Sequence, residues 1–192
     1  MTRIPWSAGY WTTPPVAASE SDGQLLVTCA EGSDAWRVTS YGFVHDTEHA
    51  LLVPFPDATA VEVAFQVDLS EQFDQAGVSV RGAEDRWIKA GIEFADGYPQ
   101  LGAVVTDRFS DWSVAPVPDW AGHRATIRAS RTGDALTVRA RRDDGPWGLV
   151  RLAHLTPGET LDAGPFCCAP TRAGLEVRFL TWESGPADST LH

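Results

Sequence analysis

The chain has 192 residues, a hydrophobic content of 43% and a formal net charge of −11 at pH 7. This length fits one domain spanning residues 1–192, with enough apolar side chains for a two-layer core. The acidic balance argues against a nucleic-acid partner and against an anionic membrane surface, because both bind basic protein faces. The N-terminus lacks the apolar run of a signal peptide and no window approaches transmembrane length, so we expect a cytoplasmic location.

The cysteines agree with this location. There are three of them, with Cys167 and Cys168 adjacent, and this pattern is not that of a disulfide framework. We expect Cys29 to lie in the core, in phase with its apolar neighbours. Cys167 and Cys168 are expected to be small buried residues of a strand.

Short segments of alternating apolar and polar residues follow one another along the chain. After an extended N-terminal segment, residues 24–30 form the first clear strand, and residues 60–69 show the cleanest alternation. A hairpin is predicted across residues 132–134, followed by strands at 148–154 and 175–182. No long stretch combines 3.6-residue periodicity with helix caps. About a dozen short strands separated by turns predict an all-β antiparallel sandwich or barrel.

The most informative stretch is residues 73–112, where three consecutive strands each have one apolar face. Asp96-Gly97 between the second and third strands is a strong hairpin signal, because a type I′ turn needs positive φ at both central residues. The resulting register keeps the apolar residues on one face, as a buried sheet demands. The rows predicted on the other face are Gln75–Glu93–Gln100, Gly77–Gly91–Gly102, Ser79–Lys89–Val104 and Arg81–Trp87–Thr106.

Two features of this polar face carry functional hypotheses. A row of glycines weakens a sheet, so it marks either a floor for a flat ligand or a place where the sheet bends or is covered. Lys89 is the only lysine of the chain, which favours a role for a compact ammonium charge. An ion pair with Glu93 is the structural alternative, although a partner on another strand is expected to be closer.

Residues 108–112 are expected to form a loop, with Trp112 arching over the polar face. Tryptophan also stacks on the apolar faces of sugar rings and other flat ligands. The candidate ligand-binding residues are Gln75, Arg81, Trp87, Lys89, Glu93, Thr106, Asp111 and Trp112.

Three motifs on these strands together resemble the domain family that includes the fungal regulation-of-enolase protein. They are D-x-x-G-x-x-x-R at 74–81, W-x-K-x-G-x-E at 87–93 and V-T-x-x-x-S-D-W at 105–112. The resemblance covers residues from about Leu25 to Glu183. It implies a concanavalin A-like lectin/glucanase fold, in which two curved antiparallel sheets form a jelly roll. It supplies no catalytic residues, and the fold alone does not give function.

The preferred functional hypothesis is a non-catalytic domain that binds a carbohydrate or small polar ligand on the concave polar face. The first alternative is a protein-interaction or regulatory module of metabolism that uses the same face for a partner protein. The second is a glycoside hydrolase-like enzyme with Glu93 as acid/base. That chemistry needs two carboxylates about 5–10 Å apart. The face offers Glu93 alone unless Asp111 comes near it.

Metal and cofactor signals are weak. Residues 45–49 contain two histidines and two acidic residues, but the segment is interpreted as a solvated turn between strands. Asp107 and Asp111 would supply the oxygen ligands that calcium prefers, which leaves a structural calcium site open. No P-loop, dinucleotide-binding or G-x-S-x-G motif is present, so we expect no cofactor and no metal.

Overall fold

The structure is a computed structural model that describes residues 1–191. Among the strands of these residues, seven of the sixteen consecutive pairs are antiparallel neighbours joined by short connections. Two single-turn 3-10 helices, Trp6–Ala8 and Pro118–Trp120, interrupt the strands. The strands are β1 (Thr2–Arg3), β2 (Tyr10–Trp11), β3 (Ala17–Ser21), β4 (Gln24–Thr28), β5 (Ala35–Arg37), β6 (Val44–Asp46), β7 (His49–Pro54), β8 (Thr59–Gln66), β9 (Gln75–Arg81), β10 (Arg86–Ala95), β11 (Tyr98–Asp107), β12 (Phe109–Pro116), β13 (Arg124–Thr132), β14 (Ala135–Arg142), β15 (Gly148–His154), β16 (Asp162–Cys168) and β17 (Glu176–Pro186).

Within the described residues these strands form two large antiparallel sheets and one small hairpin. Sheet one has the order β15-β14-β13-β8-β17-β4-β3, with β1 also paired to β17. Sheet two has the order β12-β11-β10-β9-β16-β7-β2, and β5 pairs only with β6. The predicted all-β, two-sheet antiparallel sandwich is confirmed.

The core lies between the two sheets and is supplied by their inward-pointing alternate residues. In β8, Val63 and Phe65 are fully buried, and in β9 and β10 Val78 and Ile92 are 1% exposed. Cys29, Cys167 and Cys168 are buried as expected, the last two in β16. No helix of residues 1–191 is long and apolar enough to cross a membrane.

The predicted register of the central strands is confirmed at every row. Trp87 lies opposite both Arg81 and Thr106, and Gly91 lies opposite both Gly77 and Gly102. The φ angles of Asp96 and Gly97 are 57° and 91°, as a type I′ turn requires. The polar residues of β9, β10 and β11 therefore share one face of sheet two.

The predicted loop at residues 108–112 is wrong, because Phe109–Pro116 forms strand β12 along the whole of β11. Arg108 adopts a left-handed conformation with φ of 62°, which allows the chain to reverse without a longer connection. Pro116 is tolerated because β12 is an edge strand, where a missing N–H costs no ladder hydrogen bond. Trp112 consequently stands on a strand, directly opposite Val104.

Candidate functional site

A covering segment, defined here as residues 31–48 and containing the β5–β6 hairpin, contacts the polar face of sheet two. The backbone N–H of Arg37 donates to Ser110 Oγ at 2.9 Å, which fixes the hairpin to β12. Asp34 Oδ1 accepts from Lys89 Nζ at 2.8 Å, which fixes the start of the segment to β10. The segment divides the polar face into a closed end and an open end.

At the closed end, Arg81 holds the C-terminal part of the covering segment. Its guanidinium bonds Asp46 Oδ1 at 2.6 Å and Glu48 Oε1 at 2.8 Å, and lies 4.9 Å from the centre of the Trp87 ring. Burial alone would lower the pKa of Arg81, but the carboxylates of Glu48 and Asp46 raise it. Trp87 is only 2% exposed and offers no open surface to a ligand.

Thr106 is also at the closed end. It is 2% exposed, and its hydroxyl shares a 2.9 Å hydrogen bond with Ser110, whose oxygen accepts from Arg37. The interpretation of residues 45–49 as a solvated turn is wrong for Glu48 and His49, which are 0% and 1% exposed. The buried carboxylate of Glu48 is paired through Oε1, which accepts from Ser79 and Arg81, whereas Oε2 has no hydrogen-bond partner among the described residues.

At the open end, the covering segment and the sheet enclose a cavity of about 280 Å³. Its floor comes from β9 and β10, and its walls come from the covering segment and β12. The predicted residues Gln75, Lys89, Glu93 and Trp112 meet here. The other lining residues are Gly32, Asp34, Trp36, Tyr41, Phe43, His45, Phe73, Val104 and Pro170.

Lys89 is neutralised within the floor. Its Nζ donates to Asp34 Oδ1 and to Gln75 Oε1, both at 2.8 Å, and the residue is 4% exposed. Burial alone would lower the pKa of Lys89, but the Asp34 carboxylate raises it above the ordinary lysine value. Burial would likewise raise the pKa of Asp34, and Lys89 brings it below the ordinary value. The partner of Lys89 on a neighbouring strand is Gln75 of β9. The negative charge that pairs with Lys89 comes instead from Asp34 of the covering segment.

Glu93 is the unpaired charge of the cavity. It is half-buried, and no hydrogen bond or ion pair joins its carboxyl group to any residue in the described part of the chain. Burial raises the pKa of Glu93 to about 7, with smaller contributions from Lys89, which lowers it, and from Asp34 and Asp96, which raise it. The group therefore exchanges its proton near neutral pH, and can donate or accept a hydrogen bond there.

The walls are a chain of aromatic rings in mutual contact. The centroids of Trp112 and Trp36 are 6.5 Å apart with an interplanar angle of 90°, and Trp36 meets Tyr41 at 5.7 Å and 70°. Tyr41 stacks on Phe43 at 5.3 Å, and Phe43 meets His45 at 4.6 Å. Tyr41, Phe43 and Trp112 remain 57%, 42% and 38% exposed, which is unusual for rings that pack together.

Three of the eight non-glycine residues with positive φ in the described part of the chain lie in the same region. Val38 and Ser40 at the hairpin tip have φ of 64° and 67°, and Phe73, which lines the cavity, has φ of 67°. A left-handed conformation is rare for a bulky residue and most unfavourable for a β-branched one. Such residues persist where the surrounding structure holds them, and they occur preferentially at ligand-binding sites.

The row of glycines beside the cavity is explained by the sheet itself. A Cβ atom on Gly91 would overlap the carbonyl oxygen of Ala76, and one on Gly77 would overlap that of Ala90. Each clash is with the backbone of the neighbouring strand rather than with a covering loop. Close approach of bent strands therefore accounts for these glycines.

Asp111 lies outside the cavity. Strand alternation turns it away from Trp112, and its Oδ1 lies 3.4 Å from Arg151 Nη2 on β15. The suggested approach of Asp111 to Glu93 is therefore not observed. Asp34, the acidic residue that does share the cavity with Glu93, was not among the candidates.

Sequence reasoning also missed the aromatic wall of the covering segment. Trp36, Tyr41, Phe43 and His45 lie within ten positions of one another, and none of them was among the candidate residues. This density of rings around Gly42, in a segment with few core-like alternations, was the available signal. The segment also lies within the part of the chain that carries the family resemblance.

Residues 11–187 match the model of the family described as Protein of unknown function (DUF1349). The chain belongs to this family. The DUF1349 chain is 35% identical over 187 residues to Regulation of enolase protein 1 of Saccharomyces cerevisiae, which covers 97% of this chain and 94% of that protein. The crystal structure of a functionally unknown protein from the same yeast superposes with a TM-score of 0.90 at 33% identity, covering 97% of this chain and all of that one.

More distant structures share only the fold. A xylan beta-1,4-xylosidase from Bacillus halodurans C-125 superposes with a TM-score of 0.71 at 13% identity. The match covers 96% of this chain and 39% of that enzyme. A sandwich of this kind supports many unrelated functions, so the cavity has to carry the functional conclusion.

Proposed function

We propose that this protein is a binding domain that holds a carbohydrate or another small polar ligand in the cavity at the open end of the polar face. The observation that carries the proposal is the combination of exposed aromatic walls with an unpaired carboxyl group on the floor. Ligand sites are typically apolar concavities with a few convergent polar groups that orient the ligand. Gln75 and Glu93 supply such groups beside Trp36 and Trp112.

The size of the cavity limits the ligand. Pockets for small molecules span about 300–1,000 Å³, and about 280 Å³ lies just below that range. This space suits a single sugar ring or a compact polar molecule, with any further units extending past the exposed rings of Tyr41 and Phe43. The closed end adds no room, because Trp87 and Thr106 are buried beneath the covering segment.

The direct test is a thermal-shift screen, with hits confirmed by calorimetry. The panel contains neutral monosaccharides and disaccharides, amino sugars, alkylammonium compounds and small carboxylates. A ligand present at 100 times its Kd stabilises the folded state by about 2.7 kcal/mol, which raises the melting temperature measurably. Trp112→Ala should abolish the shift, whereas Trp147→Ala, in the connection that precedes β15 of sheet one, should retain it. A panel without any hit would contradict the proposal and favour a macromolecular partner. Hits that Trp112→Ala leaves unchanged would also contradict it, because the ligand would then bind outside the cavity.

A second candidate, a glycoside hydrolase-like activity, is favoured by one observation. Two carboxyl groups line the same cavity with pKa values displaced in opposite directions, that of Glu93 raised to about 7 and that of Asp34 lowered. Two carboxyl groups whose environments shift their pKa values apart are typical of the general acid and general base of an enzyme. Aryl-glycoside turnover that Glu93→Gln removes, with an unchanged fold, would support this activity. Binding without turnover would support the non-catalytic binding domain instead.

We also propose a cytoplasmic location. Cys29, Cys167 and Cys168 are free and buried, and unpaired thiols persist in reducing compartments. Localisation of the tagged protein by fluorescence microscopy tests this directly.

A further inference from the structure

The charges lining the cavity leave an excess of negative charge. Asp34 and Lys89 neutralise each other through their 2.8 Å ion pair. Among the described lining residues Lys89 is the only lysine or arginine, so Glu93 has no cationic partner of its own. An ionised Glu93 thus gives the cavity an excess negative charge that no ion pair within the described residues neutralises.

The aromatic walls have the geometry of a corner. Trp36 and Trp112 meet at an interplanar angle of 90°, and Trp36 meets Tyr41 at 70°. A flat ring stacks best on one face or between parallel faces, whereas a compact rounded group contacts two perpendicular rings at once. Aromatic faces attract cations because their quadrupole is negative above the ring, and a cluster of such rings is the usual way to recognise methylated ammonium groups.

We propose that the ligand of this cavity carries a cationic nitrogen, which contacts the Trp36–Trp112 corner and pairs with the Glu93 carboxylate. This inference rests on the proposed function, because it names the chemical class of the small ligand. Two sources supply the group: an amino sugar, whose ring would stack on the aromatic wall, or a methylated ammonium compound. The net charge of −11 draws either of them toward the protein.

The proposal sets the sign of the pH dependence. The pKa of Glu93 is about 7, so its ionised fraction rises from about 0.1 at pH 6 to about 0.9 at pH 8. A cation that requires the carboxylate should bind about tenfold more tightly at pH 8, since apparent affinity follows the competent fraction. A neutral ligand that accepts a hydrogen bond from the protonated carboxyl group should show the opposite trend.

Other ionisable groups near Glu93 need to be separated from it. Lys89 lies on the same strand, Asp34 faces it from the covering segment, Asp96 follows at the β10–β11 turn, and His45 lines the opposite wall. His45 is the only imidazole among these groups. The variant His45→Asn therefore accompanies Glu93→Gln in every titration.

The experiment is calorimetric titration of the full chain with four probes. Choline is compared with 3,3-dimethyl-1-butanol, its uncharged carbon isostere, at pH 6 and pH 8. Glucosamine is compared with glucose at pH 7. We expect the charged member of at least one pair to bind several-fold more tightly than the neutral one, which is the range of a cation–π contact.

The variants identify the site. Trp112→Ala should remove binding of the preferred probe, and Trp147→Ala should not. If choline is preferred, its affinity should rise about tenfold from pH 6 to pH 8. Glu93→Gln should remove that rise, and His45→Asn should keep it. If glucosamine is preferred, Glu93→Gln should weaken it toward glucose.

Each outcome of these titrations either supports or overturns the inference of a cationic ligand. Preference for choline or for glucosamine supports the inference and identifies the source of the nitrogen. Equal or tighter binding of the neutral members overturns it while the proposed binding function stands. Absence of binding by all four probes overturns the inference, and the wider screen above then decides the proposed function independently. Tight choline binding that Trp112→Ala does not affect also overturns it, because the cation then lies elsewhere.

Discussion

The two ends of the polar face of sheet two come from the same alternating strands, yet one is closed and the other holds a cavity. At the closed end the guanidinium of Arg81 has a carboxylate on each side, from Asp46 and Glu48. At the open end only Asp34 reaches the floor, where it neutralises Lys89 and leaves Glu93 unpaired. Polar residues on this strand face are therefore available to a ligand only where the covering segment does not supply their ion-pair partners.

The largest expected effect comes from breaking the closed end with Arg81→Ala. Glu48 is 0% exposed, so loss of its cationic partner leaves a buried, uncompensated carboxylate. Removing one member of a buried pair typically costs about 3–5 kcal/mol. Urea unfolding with an unchanged m-value would measure the loss.

The matched control for Arg81→Ala is Arg142→Ala, which removes an exposed ion pair with Asp119. An exposed pair of this kind contributes less than about 1 kcal/mol. Equal losses of stability in the two variants would show that the Arg81 network is no more important than a surface pair.

At the open end, Glu93→Gln is expected to increase stability, and only at higher pH. The pKa of Glu93 is about 7 in the folded protein and about 4.3 in an unfolded chain, so the folded state holds this proton more tightly. The wild-type protein therefore loses stability as pH rises from about 4 to 7. The difference between the two pKa values corresponds to at most about 4 kcal/mol, and solvent screening of the partly exposed group makes the loss smaller. Glutamine does not titrate, so the variant should exceed the wild type at pH 8 and match it near pH 4.

Urea unfolding of Glu93→Gln at both pH values measures this difference. Glu20→Gln, on the exposed edge strand β3, is the control and should change stability little at either pH. A Glu93→Gln variant that is destabilised at pH 8 would mean that the carboxylate has a compensating partner.

The smallest expected effect on stability is that of Trp112→Ala. Trp112 is 38% exposed and its ring contacts Trp36, so truncation should cost about 1–2 kcal/mol. Trp87→Ala should cost about 3–5 kcal/mol, because this ring is 2% exposed at the closed end of the same face. Thermal and urea unfolding of both variants compare them, and similar losses would contradict the division into closed and open ends.

Much of the strand pairing in sheet two was predictable from the sequence, whereas less of the cavity was. Alternation in β9, β10 and β11, together with the Asp96-Gly97 turn, was enough to predict the register later observed. Strand β12 was missed because Pro116, Asp111 and the preceding Arg108 are typical of a loop, and only the position of the strand at the sheet edge makes the proline acceptable. Of the cavity, the floor residues Gln75, Lys89 and Glu93 and the wall residue Trp112 were anticipated, whereas the aromatic residues of the covering segment were not.

The properties that could be derived from the sequence are local ones: most of the strands, their apolar faces, and the position of the central hairpin turn. These properties follow from the two-residue period of a strand and from turn geometry, both of which act over a few positions. Which polar residues find ion-pair partners depends instead on the folded arrangement of the whole domain. Lys89 meets Asp34 across 55 positions and Arg81 meets Asp46 across 35, and no local pattern specifies where a distant segment comes to lie. The folded position of that segment closes one end of the face and leaves Glu93 open at the other.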